Sequence, residues 1–263
     1  MEIASPKNPK VKALAALKER KERERTGLFL VEGRREVGRA LKAGLELALL
    51  LLGPKASPED RLLSKGQEVL LLSQAALERV SSRENPAQVL GVFRIPQKDL
   101  SQVRLPQNPL ALVLLGLEKP GNLGAILRSA DGAGAHLVLV AEGVDLYSPQ
   151  VIRNSTGVVF SLPVFPVAEE EAARFLEEKG LYPVAATPRG ERVYWEEGYR
   201  RGVAFLLGAE DRGLPEAWLK RAQARVRIPM RGRADSLNVA VSAALLLYEA
   251  LRQRSLQDPP QPP

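Results

Sequence analysis

A regular alternation of apolar strands with helices, from residue 110 onward, constrains the fold most strongly. Long apolar runs predict strands at 111–118, 136–140, 162–166, 181–187, 203–210 and 224–230. Amphipathic segments between them predict helices at 122–133, 148–158, 168–179, 214–221 and 236–254. Strands that are apolar on both faces and are separated by helices are typical of a parallel sheet covered on both sides. The C-terminal part is therefore expected to be an α/β domain.

The N-terminal part is expected to be a smaller α/β domain with shorter elements. Helices are predicted at 9–25, 34–43 and 74–81, and strands at 28–33, 45–52, 69–73 and 89–95. Residues 96–109 contain three prolines and no apolar periodicity, which is typical of a linker. The predicted organisation is a domain over 1–96, a linker over 97–109, a domain over 110–256 and a disordered tail over 257–263.

The distribution of charge predicts a polyanionic partner. The chain carries a net charge of +7, and residues 1–42 hold 12 Lys and Arg against 6 Asp and Glu, whereas residues 43–263 hold 26 against 25. Such an excess at one end favours contact with nucleic acid phosphates over the alternative, a merely solvated helix face. The residues expected to contact nucleic acid phosphates are Lys10, Lys12, Lys18, Arg20 and Lys21.

Several classes of protein are excluded by what the sequence lacks. There is no cysteine, so no disulfide, thiolate metal site or cysteine nucleophile can form, and no metal is expected. The single histidine, His136, opens a predicted strand and is not expected to act as a base. No apolar run reaches the ~18–20 residues that span a bilayer, and the first residues do not read as a secretory signal. A cytoplasmic location is expected.

Three polar, glycine-containing segments follow predicted strands, at residues 118–135, 208–216 and 228–250. Ligands of open parallel sheets bind beyond the carboxyl ends of the strands, so these segments are expected to form the site. They contain neither a GxGxxG fingerprint after a strand nor a P-loop. A nucleotide-like cofactor would therefore be held by backbone groups of the loops.

The three segments resemble the signature motifs of the SpoU (TrmH-type) RNA methyltransferases of the SPOUT superfamily. The first is N-x-G-x-x-x-R, with Asn122, Gly124 and Arg128. The second is G-x-E with a nearby glycine, here Gly208, Glu210 and Gly213. The third is I-P-M followed by S-L-N-V, at residues 228–230 and 236–239. The opening SPKNPKVKALAALKERKERERTGLFLVEG is similar to the ribosomal-protein-L30-like substrate-binding domain of many members.

This resemblance implies a SPOUT-type α/β fold whose parallel sheet ends in a deep C-terminal trefoil knot, preceded by a small L30e-like α/β domain. It implies a homodimer that binds S-adenosylmethionine in the knot and methylates a ribose 2′-hydroxyl of RNA. Helix 236–254 is expected to pack at the dimer interface. A separate N-terminal domain favours ribosomal (23S) RNA as the substrate.

The resemblance also assigns roles to individual residues. The predicted catalytic residues are Arg128, Asn122, Glu210, Ser236 and Asn238. The predicted cofactor-binding residues are Gly208, Ile228, Leu237, Thr187 and Asn238. Because a guanidinium stays protonated in proteins, Arg128 is expected to clamp the oxyanion and the phosphate rather than to act as a base. As purely structural alternatives, Asn122 and Ser236 could cap their helices and Glu210 could pair with Arg212. The motif match instead makes Glu210 a site residue that orients Arg128 or the substrate.

Other functions remain open on the sequence alone. Without a cysteine nucleophile, pyrimidine C5 methylation is disfavoured, which leaves oxygen or ring-nitrogen acceptors. A tRNA 2′-O-methyltransferase, a SPOUT enzyme acting on a base nitrogen, and a non-catalytic RNA-binding protein with the same fold are the alternatives. The joint presence of Arg128, Glu210, Ser236 and Asn238 favours an enzyme.

Overall fold

The computed structural model describes residues 2–256, so the tail predicted at 257–263 lies outside the described residues. The chain forms two compact units. The N-terminal unit comprises the residues up to Lys98 together with Asp145–Ser161, and the C-terminal unit comprises Asp99–Val144 and the residues from Leu162 on. The domain boundaries predicted at 96 and 110 stay a prediction.

Within residues 2–256 the chain forms twelve strands and nine α-helices. The strands are β1 (Glu2–Ile3), β2 (Leu28–Glu32), β3 (Leu47–Leu52), β4 (Val69–Leu72), β5 (Val89–Arg94), β6 (Leu110–Leu117), β7 (Leu137–Gly143), β8 (Val164–Val167), β9 (Tyr182–Ala186), β10 (Arg192–Val193), β11 (Val203–Leu207) and β12 (Ala224–Arg227). The helices are α1 (Pro9–Ala16), α2 (Arg20–Thr26), α3 (Arg34–Lys42), α4 (Gln74–Val80), α5 (Pro120–Gly132), α6 (Pro149–Asn154), α7 (Glu169–Glu178), α8 (Glu216–Arg221) and α9 (Val239–Ser255). No helix of this part of the chain is long and apolar enough to cross a membrane.

The N-terminal unit is built on a five-stranded mixed sheet of order β1-β4-β3-β5-β2. Strand β5 is antiparallel to both of its neighbours, and the other pairs are parallel. The helix predicted over 9–25 is in fact two helices, α1 and α2. The Arg23 guanidinium explains the break, because its Nη1 donates to the Leu17 and Lys18 carbonyls at 2.7 and 2.6 Å. Those carbonyls lie at the end of α1, where a helix leaves its acceptors unsatisfied.

Residues 145–161 lie between two strands of the C-terminal unit in sequence but pack in the N-terminal unit. The buried Arg23 Nε donates to Asp145 Oδ2 at 2.9 Å, and the buried Phe29 ring lies 4.7 Å from Tyr147 and 5.9 Å from Phe160. The helix predicted over 148–158 ends early, at Asn154. Residues 156 and 157 both have positive φ, of 54° and 83°, which an α-helix cannot continue through.

The C-terminal unit confirms the predicted α/β fold with a parallel sheet. Seven strands in the order β10-β12-β9-β11-β6-β7-β8 are all parallel. Strand β12 lies between β9 and β10, which are consecutive in sequence, so the loop 187–191 crosses the end of β12. A Cβ on Gly190 would lie 2.2 Å from the Val226 carbonyl carbon, so only glycine allows this crossing. The arrangement agrees with the knot that the resemblance implies, and the knot itself stays a prediction.

Part of the segment predicted as a linker packs in the C-terminal unit. Leu100–Gln102 form a 3₁₀ turn, and Leu100 is buried in a core that includes Leu137 and Phe165. Val103 and Leu105 pack against the same core. The sparse apolar residues of this segment have no helical or strand period, which explains why sequence alone classed it as a linker.

Candidate active site

A cavity of about 550 Å³ lies at the carboxyl ends of β9, β11 and β12, next to the first turns of α9. This is the edge of a parallel sheet at which ligands bind. Its lining includes Ala186, Thr187, Leu207, Gly208, Ile228, Met230, Ser236, Leu237, Val239, Ser242 and Leu246. The structure thus brings together four of the five predicted cofactor residues and two predicted catalytic residues, Glu210 and Ser236. Met230, the last residue of the I-P-M motif, lines the same cavity.

Gly208 occupies a position that only glycine can fill. A Cβ at this position would lie 2.2 Å from the carbonyl carbon and oxygen of Gly213. The loop folds back here because Gly213, at φ 65°, donates its N–H to the Ala209 carbonyl at 2.9 Å. The backbone at residue 208 is therefore not covered by a side chain of its own and faces the cavity.

The Glu210 carboxylate joins the three sequence motifs. Its Oε1 accepts hydrogen bonds from Asn122 Nδ2 and Asn238 Nδ2, both at 2.8 Å. Its Oε2 pairs with Lys119 Nζ at 2.6 Å. Asn238 Nδ2 also lies 3.2 Å from Asn122 Oδ1. Residues from Lys119 to Asn238, 119 positions apart, are thereby fixed around one carboxylate.

Sequence reasoning did not identify Lys119. It occupies the N-cap position of α5, where its side chain makes no capping hydrogen bond. A cation at a helix N-terminus opposes the helix dipole and so needs a nearby carboxylate. That signal, in the letters E-K-P-G-N, could have predicted an acidic partner for Lys119.

The network keeps Glu210 ionised. The hydrogen bond from Lys119 holds the pKa of the Glu210 carboxyl below its ordinary value, and the Asn122 hydrogen bond acts in the same direction. The same bond raises the pKa of Lys119. A carboxylate with a lowered pKa is a weak base at neutral pH. Glu210 is therefore placed to anchor the loops rather than to accept the hydroxyl proton.

The capping roles considered for this site are wrong. Helix α9 begins at Val239, three residues later than predicted, and its N-cap is Asn238, whose Oδ1 accepts the Ala240 N–H at 2.9 Å. Ser236 lies before the helix and is exposed. Helix α5 begins at Pro120, so Asn122 lies in its first turn and does not cap it.

The ion pair considered between Glu210 and Arg212 is also wrong. Arg212 pairs with Glu118 at 2.9 Å and with Asp211 at 3.5 Å instead. Glu210 makes no hydrogen bond or ion pair with Arg128. Among residues 2–256, the exposed Arg128 side chain makes no hydrogen bond or ion pair at all, and it is not part of the cavity lining. Its guanidinium is free to meet an incoming anion.

The five basic residues predicted to bind RNA differ in whether their side chains already have a partner within the chain. Lys10 pairs with Glu68 at 2.9 Å, Lys18 Nζ donates to the Arg79 carbonyl at 2.9 Å, and Arg20 pairs with Glu24 at 2.7 Å. Lys12 and Lys21 are exposed and have no such partner in the described part of the chain. Their role stays a prediction, with these two lysines the best placed.

His136 lies at the other end of the sheet and is used structurally. Its Nδ1 accepts the Leu110 N–H at 3.1 Å. Burial lowers the pKa of His136, and the charge of Arg254 lowers it further. The imidazole is therefore neutral at pH 7, and it lies at the start of β7, away from the cavity.

Comparison with known protein families identifies both parts of the chain. Residues 109–248 match the SpoU rRNA Methylase family, and residues 8–91 match the MRM3-like substrate binding domain. Among curated relatives, the 23S rRNA (guanosine(2553)-2′-O)-methyltransferase of Bacillus subtilis is 32% identical over 94% of this chain and 98% of its own length. The 23S rRNA (uridine(2479)-2′-O)-methyltransferase of Streptomyces viridochromogenes is 32% identical over 91% and 88%.

Solved structures agree over nearly the whole chain. A crystal structure of an RNA 2′-O ribose methyltransferase is 54% identical, covers 97% of this chain and 99% of its own, and superposes with a TM-score of 0.86. An rRNA methyltransferase from Sinorhizobium meliloti with bound AdoMet is 32% identical, covers 96% and 97%, and has a TM-score of 0.89. Each of these two proteins therefore contains structural counterparts of both units of the chain.

Proposed function

The chain belongs to the SpoU rRNA methylase family, and on that premise we propose that it transfers a methyl group from S-adenosylmethionine to a ribose 2′-hydroxyl of 23S ribosomal RNA. One observation of the structure supports this most strongly. The three motif segments meet at the carboxyl edge of the sheet around Glu210, directly beside a ligand-sized cavity. A non-catalytic RNA-binding protein has no need of that arrangement.

The cavity at Gly208 and its lining residues fit S-adenosylmethionine. A volume of about 550 Å³ lies within the usual range of roughly 300–1,000 Å³ for small-molecule sites. The absence of a side chain at Gly208 exposes backbone groups that can hydrogen-bond an adenine. The backbone groups of Ile228 and Leu237 can do the same from the opposite side of the cavity. Thr187 adds a hydroxyl at the end of β9. When bound, the cofactor supplies an electrophilic methyl group on a sulfonium.

The chain's own residues position the RNA and stabilise charge. Arg128 has an unoccupied guanidinium, whose planar fork can pair with a phosphate and with the oxyanion that develops on the ribose. Asn122 and Asn238 hold Glu210, and this network fixes the loop after β6 to the start of α9. Since Asn238 Nδ2 and Oδ1 are both engaged in this network and in the cap, Asn238 acts as a positioning residue.

We further propose that the protein is a homodimer through α9. Val241 and Tyr248, 47% and 50% exposed, line with Ala244 and Leu245 an apolar depression of about 470 Å³ on this helix. Exposed apolar patches of this kind mark interaction sites. Val241→Glu/Tyr248→Glu should yield monomers by light scattering, whereas Leu62→Glu, at an exposed position of the N-terminal unit, should leave the dimer intact. A monomeric native chain would contradict the proposal.

The activity can be tested on the full chain with methyl-labelled S-adenosylmethionine. In vitro transcripts of 23S rRNA, 16S rRNA and tRNA are each incubated with the protein and digested to nucleosides, which are separated and identified by mass. The proposal expects label in a 2′-O-methylnucleoside from the 23S transcript. Label in a base-methylated nucleoside, or in tRNA alone, would contradict it.

A further inference from the structure

A second cavity lies at the opposite edge of the same sheet. It has a volume of about 520 Å³ and is lined by Gly198, Arg200, Arg201, Arg252, Gln253 and Leu256. Three of these residues are arginines and none is acidic. This cavity is called the arginine cleft below.

The arginine cleft is separate from the cavity at Gly208. Arg201 precedes β11, whereas Gly208 follows it, so the five-residue strand separates them by about 17 Å. Helix α9 likewise begins beside the first cavity and ends at the cleft, and its 17 residues span about 25 Å. A group bound in the cleft contacts none of the residues assigned to methyl transfer.

The positive charge of the cleft is only partly neutralised. Within residues 2–256, Arg200 has no carboxylate partner. The nearest for Arg201 is Glu197 at 4.0 Å, and the other oxygen of this buried carboxylate is already bonded by Arg192 at 2.8 Å. Arg252 pairs with Glu249. The C-terminal part of the chain is nearly balanced in charge, with 26 cations against 25 anions over residues 43–263, so this cluster is a local excess.

The segment that carries Arg200 and Arg201 is held in place by buried hydrogen bonds. The Gln253 side chain accepts the Tyr199 N–H at 2.8 Å and donates to the Glu197 carbonyl at 2.9 Å. The Arg201 guanidinium stacks 4.0 Å above the Tyr182 ring, and Arg200 Nε donates to the Gln253 carbonyl at 3.2 Å. Side chains ordered in advance lose little entropy when they bind a ligand.

A purely structural role accounts for only some of these cations. Arginines in the last turn of α9 offset the negative end of the helix dipole, and this explains Arg252. Arg254 is occupied by backbone carbonyls, among them those of Tyr199 and Arg201. Arg200 and Arg201 come from a different segment, and the dipole, about half an elementary charge, does not require two more cations.

We propose that the arginine cleft binds backbone phosphates of the RNA substrate, an inference that rests on the proposed function. Guanidinium groups bind phosphate oxygens through two parallel hydrogen bonds, which a phosphodiester chain offers repeatedly. Contacts at both edges of the sheet require an RNA that reaches around the C-terminal unit, which suits a large folded rRNA. The cleft adds affinity and takes no part in the chemical step.

The test compares the full chain with an Arg200→Ala/Arg201→Ala variant in filter binding of a 23S rRNA transcript over a range of KCl concentrations. The slope of log affinity against log salt should decrease by about two units, one for each lost phosphate contact. The KM for the transcript should rise while kcat at saturating RNA and the affinity for S-adenosylmethionine stay unchanged. Arg104→Ala/Arg174→Ala is the matched control, because it removes two exposed arginines of the same unit that have no ion-pair partner among the described residues.

Two further comparisons keep the test decisive. Arg200→Glu leaves the Arg201–Tyr182 stack intact, so it should weaken binding without lowering the melting temperature. A slope in the double variant equal to that of the control would overturn the role of the cleft. If the unaltered chain neither binds nor methylates any transcript, the proposed function fails instead, and the two failures are thereby distinguished.

Discussion

The two edges of the seven-stranded sheet use polar residues in opposite ways. At the carboxyl edge, Glu210, Asn122, Asn238 and Lys119 hydrogen-bond with one another, whereas the exposed Arg128 guanidinium makes no hydrogen bond or ion pair with any described residue. At the amino edge, Arg200 and Arg201 leave most of their donors unused. A fixed network suits chemistry, which needs preorganised groups, whereas a cluster of free cations suits phosphate binding. Parallel strands make this division possible, because they gather all strand ends of one kind at one edge.

The largest effect is expected from Arg128, whose guanidinium makes no hydrogen bond or ion pair with any described residue. Arg128→Ala should lower turnover by about 10²-fold or more, the scale of losing one preorganised donor. Arg128→Lys should not restore it, because an ammonium lacks the planar fork. S-adenosylmethionine affinity should not change, since Arg128 is not part of the cavity lining. A near-normal rate of methyl transfer by Arg128→Ala under single-turnover conditions would show that Arg128 does not clamp the oxyanion and the phosphate.

The next effect concerns the backbone of the cavity. Gly208→Ala places a methyl group about 2.2 Å from the Gly213 backbone, which must move. Overpacking of this kind costs about 1–3 kcal/mol, or roughly 5- to 150-fold in affinity if the cost falls on the bound state. Calorimetry of S-adenosylmethionine binding should show the loss. Gly232→Ala is the control, because a methyl group there meets nothing within 4 Å. Equal affinities of the two variants would mean that this loop does not shape the cofactor site.

A smaller effect separates the two roles of Asn238. Asn238→Ala should lower the free energy of unfolding by about 1 kcal/mol, because the N-cap of α9 is lost. Asn238→Ser keeps a capping oxygen and should unfold like the native chain. Both variants lose the amide donor to Glu210, so turnover should fall in both. A fully active serine variant would show that the asparagine is needed only as a cap.

The smallest effect is expected in the N-terminal unit. Lys12→Ala/Lys21→Ala should flatten the salt dependence of RNA binding by about one unit per contact. Lys10→Ala/Arg20→Ala should change it less, since Glu68 and Glu24 already neutralise those side chains. Lys10→Ala/Arg20→Ala could change the salt slope more than Lys12→Ala/Lys21→Ala, or neither variant could change it. Either result would show that the ion pairs seen in the protein without RNA do not decide which cations bind RNA.

The sequence predicted well what short-range patterns encode. The apolar runs located six of the seven strands of the parallel sheet and missed the two-residue strand β10. The three motifs located the loops that meet at Glu210. The start of α9 was missed because residues 231–238 offer several capping residues, Asp235, Ser236 and Asn238 among them, and only the contact with Glu210 selects the last. The bond between Arg23 and Asp145 joins residues 122 positions apart, so no local pattern could assign residues 145–161 to the N-terminal unit.

The arginine cleft is another feature that local sequence patterns could not predict. Arg200, Arg201 and Arg252 look like ordinary surface arginines in the sequence, and the last is about fifty positions from the others. They become one site only because β11 begins where α9 ends. The insertion of β12 between β9 and β10 is equally a property of the tertiary fold.

The central claim, ribose methylation of 23S rRNA, is tested most directly in cells. Ribose methylation is mapped across total RNA from a strain that lacks the gene, from its parent, and from the deletion strain carrying either the native gene or Arg128→Ala. We expect that a 2′-O-methyl group in 23S rRNA is lost on deletion, returns with the native gene and does not return with Arg128→Ala. An unchanged pattern in 23S rRNA, or a methyl group lost only from tRNA, would contradict it.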